Sequence, residues 1–412
     1  MYLKGSKFRM TGHRWRVNPL RVVLLAAIVA VLAYVNQFVT PVIPAAFAPT
    51  PSPTSSPLLY ANQAKQLESS GKFYQAIQAY QQASALDPKN MAYYLAMARL
   101  QIYSGDYKSA VTNAENALVI NANSSEAYAL KGWALGFEPS YLDAEAALNK
   151  AIELDGNDSA AYAYLAEVLI GEYQSGMGTL GILDRAIQAS RTAQTLAPNS
   201  MEAHRARGVV LEATGNNQDA ITEFQAAIDA NKNVADLHIM LGRNYRALGS
   251  YDKAYTEFNT ASTLMPDSPV PLTYLARTYF MAGEYVKAIQ YAQNAIKLSP
   301  SDPYLYGNLG TMYYRNAQLD EAIQVLKLAV QGGTAQDGTA VTGLKLDYYP
   351  VSEYYYTYGL ALAKQSRCTE AMPIAQALQQ SVAANEPVTA DNAQQIIALC
   401  TGGPTPQPTT AK

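Results

Sequence analysis

Histidine and cysteine, the residues that most metal sites and many catalytic sites need, are scarce in this sequence. It has three histidines and two cysteines in 412 residues, and it contains no HExxH or CxxC motif. The glycine-rich stretches at 171–181 and 332–338 also lack the Lys-Ser or Lys-Thr pair of a phosphate-binding loop. We therefore predict a chain that is not an enzyme and that holds no metal or cofactor.

Valine and isoleucine do not dominate the apolar residues, as they would in a β-rich protein. Hydrophobic residues make up 49% of the chain, but alanine and tyrosine are the conspicuous ones among them. This composition favours helices that pack closely through small side chains.

Acidic residues are missing from the first 21 positions, which carry six of the 30 basic side chains. The remainder of the chain therefore has an acidic excess. Because that charge would repel a phosphate backbone, we expect no nucleic acid among its partners.

An uncharged apolar stretch follows the basic head of residues 1–21. Residues 22–43 are long enough for one membrane-spanning helix, and the positive flank would stay in the cytoplasm. A cleaved signal peptide is the alternative, since Ala-Phe-Ala at 46–48 resembles a cleavage site, although Pro49 would directly follow the cut. We predict a single-pass protein of a bacterial cytoplasmic membrane, with its N-terminus inside and its body outside the cytoplasm.

Further along, the sequence repeats itself with a period of 34 residues. Small residues recur at Ala64, Ala98, Gly132, Ala166, Gly208, Gly242, Ala276 and Gly310. Alanines recur in step at Ala76, Ala110, Ala144, Ala186, Ala220, Ala254, Ala288 and Ala322. Both registers skip eight residues between Ala166 and Ala186, which indicates an insertion at 171–181.

These repeats resemble the tetratricopeptide repeat family. The turn into the family's second helix is matched by GKFYQAI at 71–77, GDYKSAV at 105–111, GSYDKAY at 249–255 and GEYVKAI at 283–289. The proline that closes a repeat is matched by Pro88, Pro198, Pro266 and Pro300. The resemblance implies an all-α fold, a right-handed solenoid of eight to nine helix-turn-helix repeats with a C-terminal capping helix.

The domain organisation follows from the same registers. A Pro/Ser/Thr-rich linker at 44–56 leads into a solenoid at 57–400, and a disordered tail is predicted at 401–412. The repeats are placed near 57–90, 91–124, 125–158, 159–200, 201–234, 235–268, 269–302, 303–331 and 352–384, with a cap at 391–400. The cap is expected because the last helix pair would otherwise leave an apolar face in water.

The segment 331–351 interrupts the period between the last two repeats. It is glycine-rich at first and tyrosine-rich afterwards. It is either an irregular connection or a partner-binding loop. In the second case the tyrosines of 345–358 would offer rings to a sugar, so the alternative function is a surface module that binds envelope polysaccharide.

The two cysteines, Cys368 and Cys400, both fall in the terminal unit. If the ninth repeat runs up and then down, and the cap runs up again, Cys400 ends beside the turn that holds Cys368. We predict a disulfide between them, which an oxidising compartment would allow. Two unrelated buried thiols are the alternative.

The resemblance also implies a binding surface, because in this family the first helix of each repeat lines a concave groove. The groove positions of the later repeats carry Arg205, Arg243, Arg246, Arg277, Phe280, Tyr314 and Arg315. Such a run suits an extended peptide with acidic side chains or a free C-terminal carboxylate. Internal pairing, for example of Glu212 with Arg246, is the alternative. We thus predict a membrane-tethered, non-catalytic scaffold that binds protein or peptide partners.

Overall fold

The computed structural model describes residues 18–38, 56–138, 140–176, 178, 180–347, 349–381 and 386–403. In these residues twenty helices and one small two-stranded sheet form, so the predicted all-α repeat fold is confirmed with the sheet as an addition. The chain divides into two compact units, Met1–Ser55 and Ser56–Lys412. Most of the predicted basic head and linker, and most of the predicted tail, lie outside the described residues.

The first unit has one described helix, α1 (Pro19–Phe38). Within the described residues no helix has both the length and the apolar character that a bilayer crossing requires. The predicted location as a single-pass membrane protein is therefore wrong. The rest of the predicted span, residues 39–43, lies outside the described residues.

The second unit consists of helix pairs, numbered here as repeats 1 to 9. The first helices are α2 (Pro57–Ser69), α4 (Met91–Tyr103), α6 (Ser125–Gly136), α8 (Ser159–Gln174), α10 (Met201–Ala213), α12 (Ala235–Ala247), α14 (Pro269–Met281), α16 (Pro303–Arg315) and α18 (Tyr349–Lys364). The second helices are α3 (Phe73–Leu86), α5 (Tyr107–Ile120), α7 (Tyr141–Leu154), α9 (Ile182–Leu196), α11 (Asn217–Ala230), α13 (Tyr251–Leu264), α15 (Tyr285–Leu298), α17 (Leu319–Gln331) and α19 (Cys368–Gln380). A final helix, α20 (Pro387–Thr401), packs on both helices of repeat 9 and closes the array.

The recurring small residue of the first helix is explained by the packing within each pair. A Cβ atom on Gly208 would lie 2.6 Å from a ring carbon of Phe224, and one on Gly242 would lie 2.6 Å from the same ring carbon of Phe258. Both phenylalanines are fully buried. A glycine in the first helix therefore makes room for a large ring in the second, and the 34-residue period follows from repeating this contact.

The eight-residue insertion lengthens repeat 4. Its first helix, α8, has 16 residues, three more than its neighbour α10. A turn then leads to α9, which begins after Gly181 in the left-handed conformation, with φ of 83°. The insertion thus extends one helix and its turn without disturbing the pairing.

The interruption between repeats 8 and 9 contains an ordered hairpin. Strands β1 (Gly333–Thr334) and β2 (Ala340–Val341) pair antiparallel, and Ala335 and Val341 are buried against α17 and α16. The amide of Leu344 then donates to the carbonyl of Ala329, which fixes the end of the hairpin on α17.

The array ends in a disulfide-linked unit. Cys368, at the start of α19, is bonded to Cys400 in α20, with a Cα–Cα distance of 5.4 Å. The hydroxyls of Ser352 and Thr389 lie 2.9 Å apart and are buried between α18 and α20. The cap is longer than the predicted 391–400 and begins at Pro387.

Candidate functional site

The predicted groove residues lie on four first helices. Arg205 is on α10, Arg243 and Arg246 are on α12, Arg277 and Phe280 are on α14, and Tyr314 and Arg315 are on α16. Each of these helices contacts the next one, and α16 contacts α18. The first helices therefore form one continuous side of the solenoid.

Arg205 is not available to a partner, because only 1% of its surface is exposed. Its Nε donates to Oε1 of Glu167 at 2.9 Å, and its Nη2 donates to Oδ2 of Asp236 at 2.6 Å. The guanidinium also lies 5.3 Å from the centre of the Trp133 ring. Burial disfavours the charge of Arg205, but the two carboxylates outweigh it and raise its pKa. The prediction that Arg205 belongs to an open groove is therefore wrong.

Arg243 is paired within the array. Its Nε and Nη2 both donate to Oε1 of Glu212 on the preceding first helix, at 3.0 and 2.6 Å. The alternative of internal pairing thus holds for Glu212, but with Arg243 as its partner. Glu212 and Arg246 form no ion pair with each other.

Arg246 carries a charge that lacks a carboxylate. Its Nη1 is buried and has no hydrogen-bond partner among the described residues. The guanidinium lies 5.4 Å from the centre of the Tyr274 ring, which gives it a cation–π contact only. Burial first, and then the charge of Arg277, lowers the pKa of Arg246 below its ordinary value. An anion beside Arg246 would offset the repulsion from Arg277 and could accept a hydrogen bond from the guanidinium.

Arg277 and Phe280 line a cavity of about 130 Å³ between α14, α16 and α18. The one carboxylate in its wall is that of Glu353. Burial raises the pKa of Glu353, while the charges of Arg277 and Arg315 oppose that rise. One acidic side chain therefore faces two exposed arginines.

Tyr314 also meets a cation. Nζ of Lys364, at the end of α18, lies 4.5 Å from the centre of the Tyr314 ring. Glu353 and Lys364 were missed in the sequence because the groove positions were not read in the irregular ninth repeat. The second residue of a repeat is one of the positions that line the groove in this family. Glu353 is the second residue of the predicted repeat 352–384, so reading the ninth repeat in the same way identifies it.

The tyrosines near the hairpin are used for packing. Tyr354 is 9% exposed and its hydroxyl donates to Oδ1 of Asn308, while the Tyr355 hydroxyl donates to the carbonyl of Leu344 at 2.6 Å. Tyr358 is 1% exposed. Tyr354 and Tyr358 therefore offer no free ring face to a sugar, and Tyr348 lies outside the described residues. Nothing here favours the polysaccharide alternative.

The two histidines of the array join helices within their own repeats. Nδ1 of His204 lies 2.7 Å from Oε2 of Glu223, and Nδ1 of His238 lies 2.7 Å from Oε2 of Glu257. In the part of the chain that the structure describes, no group of three or more His, Cys, Asp or Glu side chains is placed to hold a metal ion.

Comparison with known proteins identifies the repeats. One tetratricopeptide repeat model matches residues 67–134 and 279–334. A second tetratricopeptide repeat model matches residues 179–236, 206–269 and 239–303. Together they cover just over half of the chain. A search of curated proteins finds no match.

Three solved structures are similar to the chain at low identity. The pilF protein of Pseudomonas aeruginosa is 19% identical over 55% of this chain and 93% of its own, with a TM-score of 0.42. MamA protein is 26% identical over 44% of this chain and 94% of its own, with a TM-score of 0.30. A tetratricopeptide repeat protein from Parabacteroides merdae is 13% identical over 62% of this chain and 98% of its own, with a TM-score of 0.40.

The repeated helix pairs, the glycine-to-ring packing inside them and the two matching repeat models agree: the chain belongs to the tetratricopeptide repeat family, whose repeats serve as scaffolds for protein interaction.

Proposed function

We propose that this chain is a non-catalytic scaffold that binds an acidic segment, or a free C-terminal carboxylate, of a protein or peptide partner. The binding surface is the side of the solenoid formed by α12, α14, α16 and α18. Arg246, Arg277 and Arg315 supply the positive charge.

The buried Nη1 of Arg246 is the observation that carries this proposal. A buried guanidinium nitrogen without a hydrogen bond destabilises the fold unless a ligand completes it. A carboxylate that accepts hydrogen bonds from Arg246 would satisfy this nitrogen, and it would also relieve the repulsion from Arg277.

The surface around Arg246 supports the same ligand. Arg277 and Arg315 are exposed and form no ion pair with any described residue, and Glu353 balances only part of their charge. Phe280 beside Arg277 adds an apolar wall for a neighbouring side chain. Arg205 and Arg243 do not contribute, because carboxylates of the array already occupy their guanidinium groups.

The test is a calorimetric titration at low salt with two synthetic peptides. One carries four glutamates and a free C-terminus, and the other has glutamines and a C-terminal amide. We expect the acidic peptide alone to bind, and Arg277→Glu to weaken it about tenfold or more, since a charge-assisted hydrogen bond contributes about 1.5–3 kcal/mol.

Arg191→Glu is the matched control, because Arg191 is an exposed arginine on the second helix α9. It changes the net charge equally but leaves the proposed surface intact. Equal weakening by Arg191→Glu and Arg277→Glu, or no binding of the acidic peptide at all, would contradict the proposal.

A second measurement uses stability. Arg246→Met removes the unpartnered charge and should raise the midpoint of thermal unfolding of the free protein. The acidic peptide should stabilise the wild type but not this variant. A variant that is less stable than the wild type, and that still responds to the peptide, would show that Arg246 is satisfied by other means.

A further inference from the structure

A cavity of about 380 Å³ lies where the first helices of repeats 3 to 5 begin, and it shares no residue with the arginine surface of Arg246, Arg277 and Arg315. Its polar wall is formed by Arg99, Glu126, Asp158, Tyr164 and Glu202. Three carboxylates thus face one guanidinium. The remaining wall is apolar, from small and aliphatic side chains.

The carboxylates differ in what they already bind. Glu126 pairs with Arg99. Asp158 accepts from the amide of Ala161 at 3.2 Å as the cap of α8, and it also accepts from the hydroxyl of Ser125 at 2.6 Å. Glu202 has no hydrogen bond or ion pair to any described side chain, although it is half-buried. After the Arg99 pair is formed, two negative charges remain.

Tyr164 supplies a further polar group to the cavity, independent of the carboxylates. Its side chain is 2% exposed and stacks on Trp133 with ring centres 4.0 Å apart. Tyr164 lines the cavity, and its hydroxyl, which feels the charge of Glu202, makes no hydrogen bond within the described part of the chain. Burial and then the charge of Glu202 raise the pKa of Tyr164. The hydroxyl therefore stays protonated at neutral pH, and its oxygen can accept a hydrogen bond from a ligand.

An anion does not fit this cavity. The one cation, Arg99, is already paired with Glu126, and any anion would meet Glu202 and Asp158. A group that only donates hydrogen bonds and carries positive charge would satisfy both carboxylates and the Tyr164 oxygen.

A neighbouring cavity of about 460 Å³ extends the space. It shares Arg99 and Glu126 with the first cavity and continues past Tyr93 to Lys65 and Glu68 on α2. Its two cations and two carboxylates balance. The excess negative charge is therefore concentrated at Glu202 and Asp158, and the second cavity gives room for the chain that carries a cationic group.

We propose that the cavity between Glu202, Asp158 and Tyr164 is a second binding site of the array, for an ammonium or guanidinium group. This site is opposite in charge to the arginine surface and independent of it. A lysine or arginine side chain of a partner and a free polyamine share this chemistry.

Intrinsic fluorescence offers a direct test, because Trp133 stacks on Tyr164 and the only other tryptophan is Trp15. In a Trp15→Phe background the emission comes from Trp133 alone. Tetralysine and spermine are titrated separately at low salt. Both should change the Trp133 emission in a saturable way if the site accepts ammonium groups from either source, whereas a response to spermine alone assigns the site to free polyamines.

Glu202→Gln should weaken this binding about tenfold, and Tyr164→Phe should weaken it several-fold, since each removes one polar partner of the ligand. Asp219→Asn is the control, because Asp219 is an exposed acid on α11 away from the cavity. Absence of binding in the wild type, or the same affinity in Glu202→Gln as in Asp219→Asn, would overturn the proposal.

Two variants distinguish this site from the arginine surface of the proposed function. Glu202→Gln should leave binding of the acidic peptide unchanged, and Arg277→Glu should not weaken tetralysine. If tetralysine binds and the acidic peptide does not, the cation site stands and the arginine surface fails.

Discussion

The side-chain amide of Asn233 donates to the main-chain carbonyl of Ser69 at 2.8 Å, although the two residues are 164 positions apart. Ser69 ends the first helix of repeat 1, and Asn233 lies in the turn before repeat 6. In most repeat arrays each unit contacts only its neighbours. The solenoid here coils tightly enough for distant repeats to touch, and one hydrophobic core runs from Ala61 to Leu241.

This contact leads to a prediction for Asn233→Ala. Loss of one exposed hydrogen bond should lower the free energy of unfolding by about 1 kcal/mol or less. The turn after Ser69 should also exchange its amide hydrogens faster, because its tie to repeat 6 is gone. Hydrogen exchange measured by mass spectrometry checks this.

Asn199→Ala is the matched control, since Asn199 holds the equivalent turn position one repeat earlier and makes no side-chain hydrogen bond within the described residues. Equal exchange at residues 69–72 in both variants would mean that the Asn233 contact does not couple repeats 1 and 6.

The buried ion network of Arg205 should be costly to break from one side. Arg205→Ala leaves Glu167 buried without its cationic partner, although the indole N–H of Trp133 still donates to it. Burial already raises the pKa of Glu167 against the effect of Arg205. We expect a loss of about 3–5 kcal/mol in the free energy of unfolding, measured in urea.

The double variant Arg205→Met with Glu167→Gln should lose less than Arg205→Ala, because it leaves no unpaired charge in the core. Arg191→Ala should change stability by less than about 0.5 kcal/mol. A double variant as unstable as the single one would show that packing, and not charge, accounts for the loss.

His238 should make stability depend on pH. Burial disfavours its charge, but hydrogen bonds to Glu257 and to the carbonyl of Lys232 outweigh burial, and the pKa of His238 is raised above 6.5. The protonated form is therefore favoured in the folded state. Its contribution to stability is fully present below the unfolded pKa and is lost as pH rises through the folded pKa.

The check is the difference in free energy of unfolding between wild type and His238→Gln from pH 5 to pH 9. It should be largest at the acid end and shrink above neutrality. Glu257→Gln should remove the same pH dependence, as it removes the carboxylate that raises the pKa. A difference that grows with pH would contradict the assignment.

The disulfide should stabilise the end of the array. Cys368 and Cys400 are 32 residues apart. Closing a loop of that length lowers the entropy of the unfolded chain, which raises the free energy of unfolding by about 3–4 kcal/mol on the chain-entropy model. Reduction should lower the urea midpoint of the terminal unit while repeats 1 to 6 keep theirs. The Cys368→Ser, Cys400→Ser double variant should match the reduced protein and show no response to reductant.

The sequence determined the repeat, because the packing that defines it is local. Gly208 and Phe224 are 16 residues apart, and the same pair recurs at Gly242 and Phe258, so a fixed period in the sequence records a contact within each pair. Helix ends are equally local, since Pro269 and Pro303 follow the capping residues Ser268 and Asp302.

Only the tertiary structure decided which groove residues are free. Arg205 and Arg277 both lie on first helices, yet Arg205 is enclosed by Glu167 and Asp236 from two other repeats, while Arg277 remains exposed. That difference depends on how far the solenoid coils, which sums small rotations over many repeats. The 34-residue period records the contacts within a helix pair, and it does not show which carboxylates of other repeats reach a given arginine. The coil also placed Glu202 beside Tyr164 and brought Asn233 to Ser69.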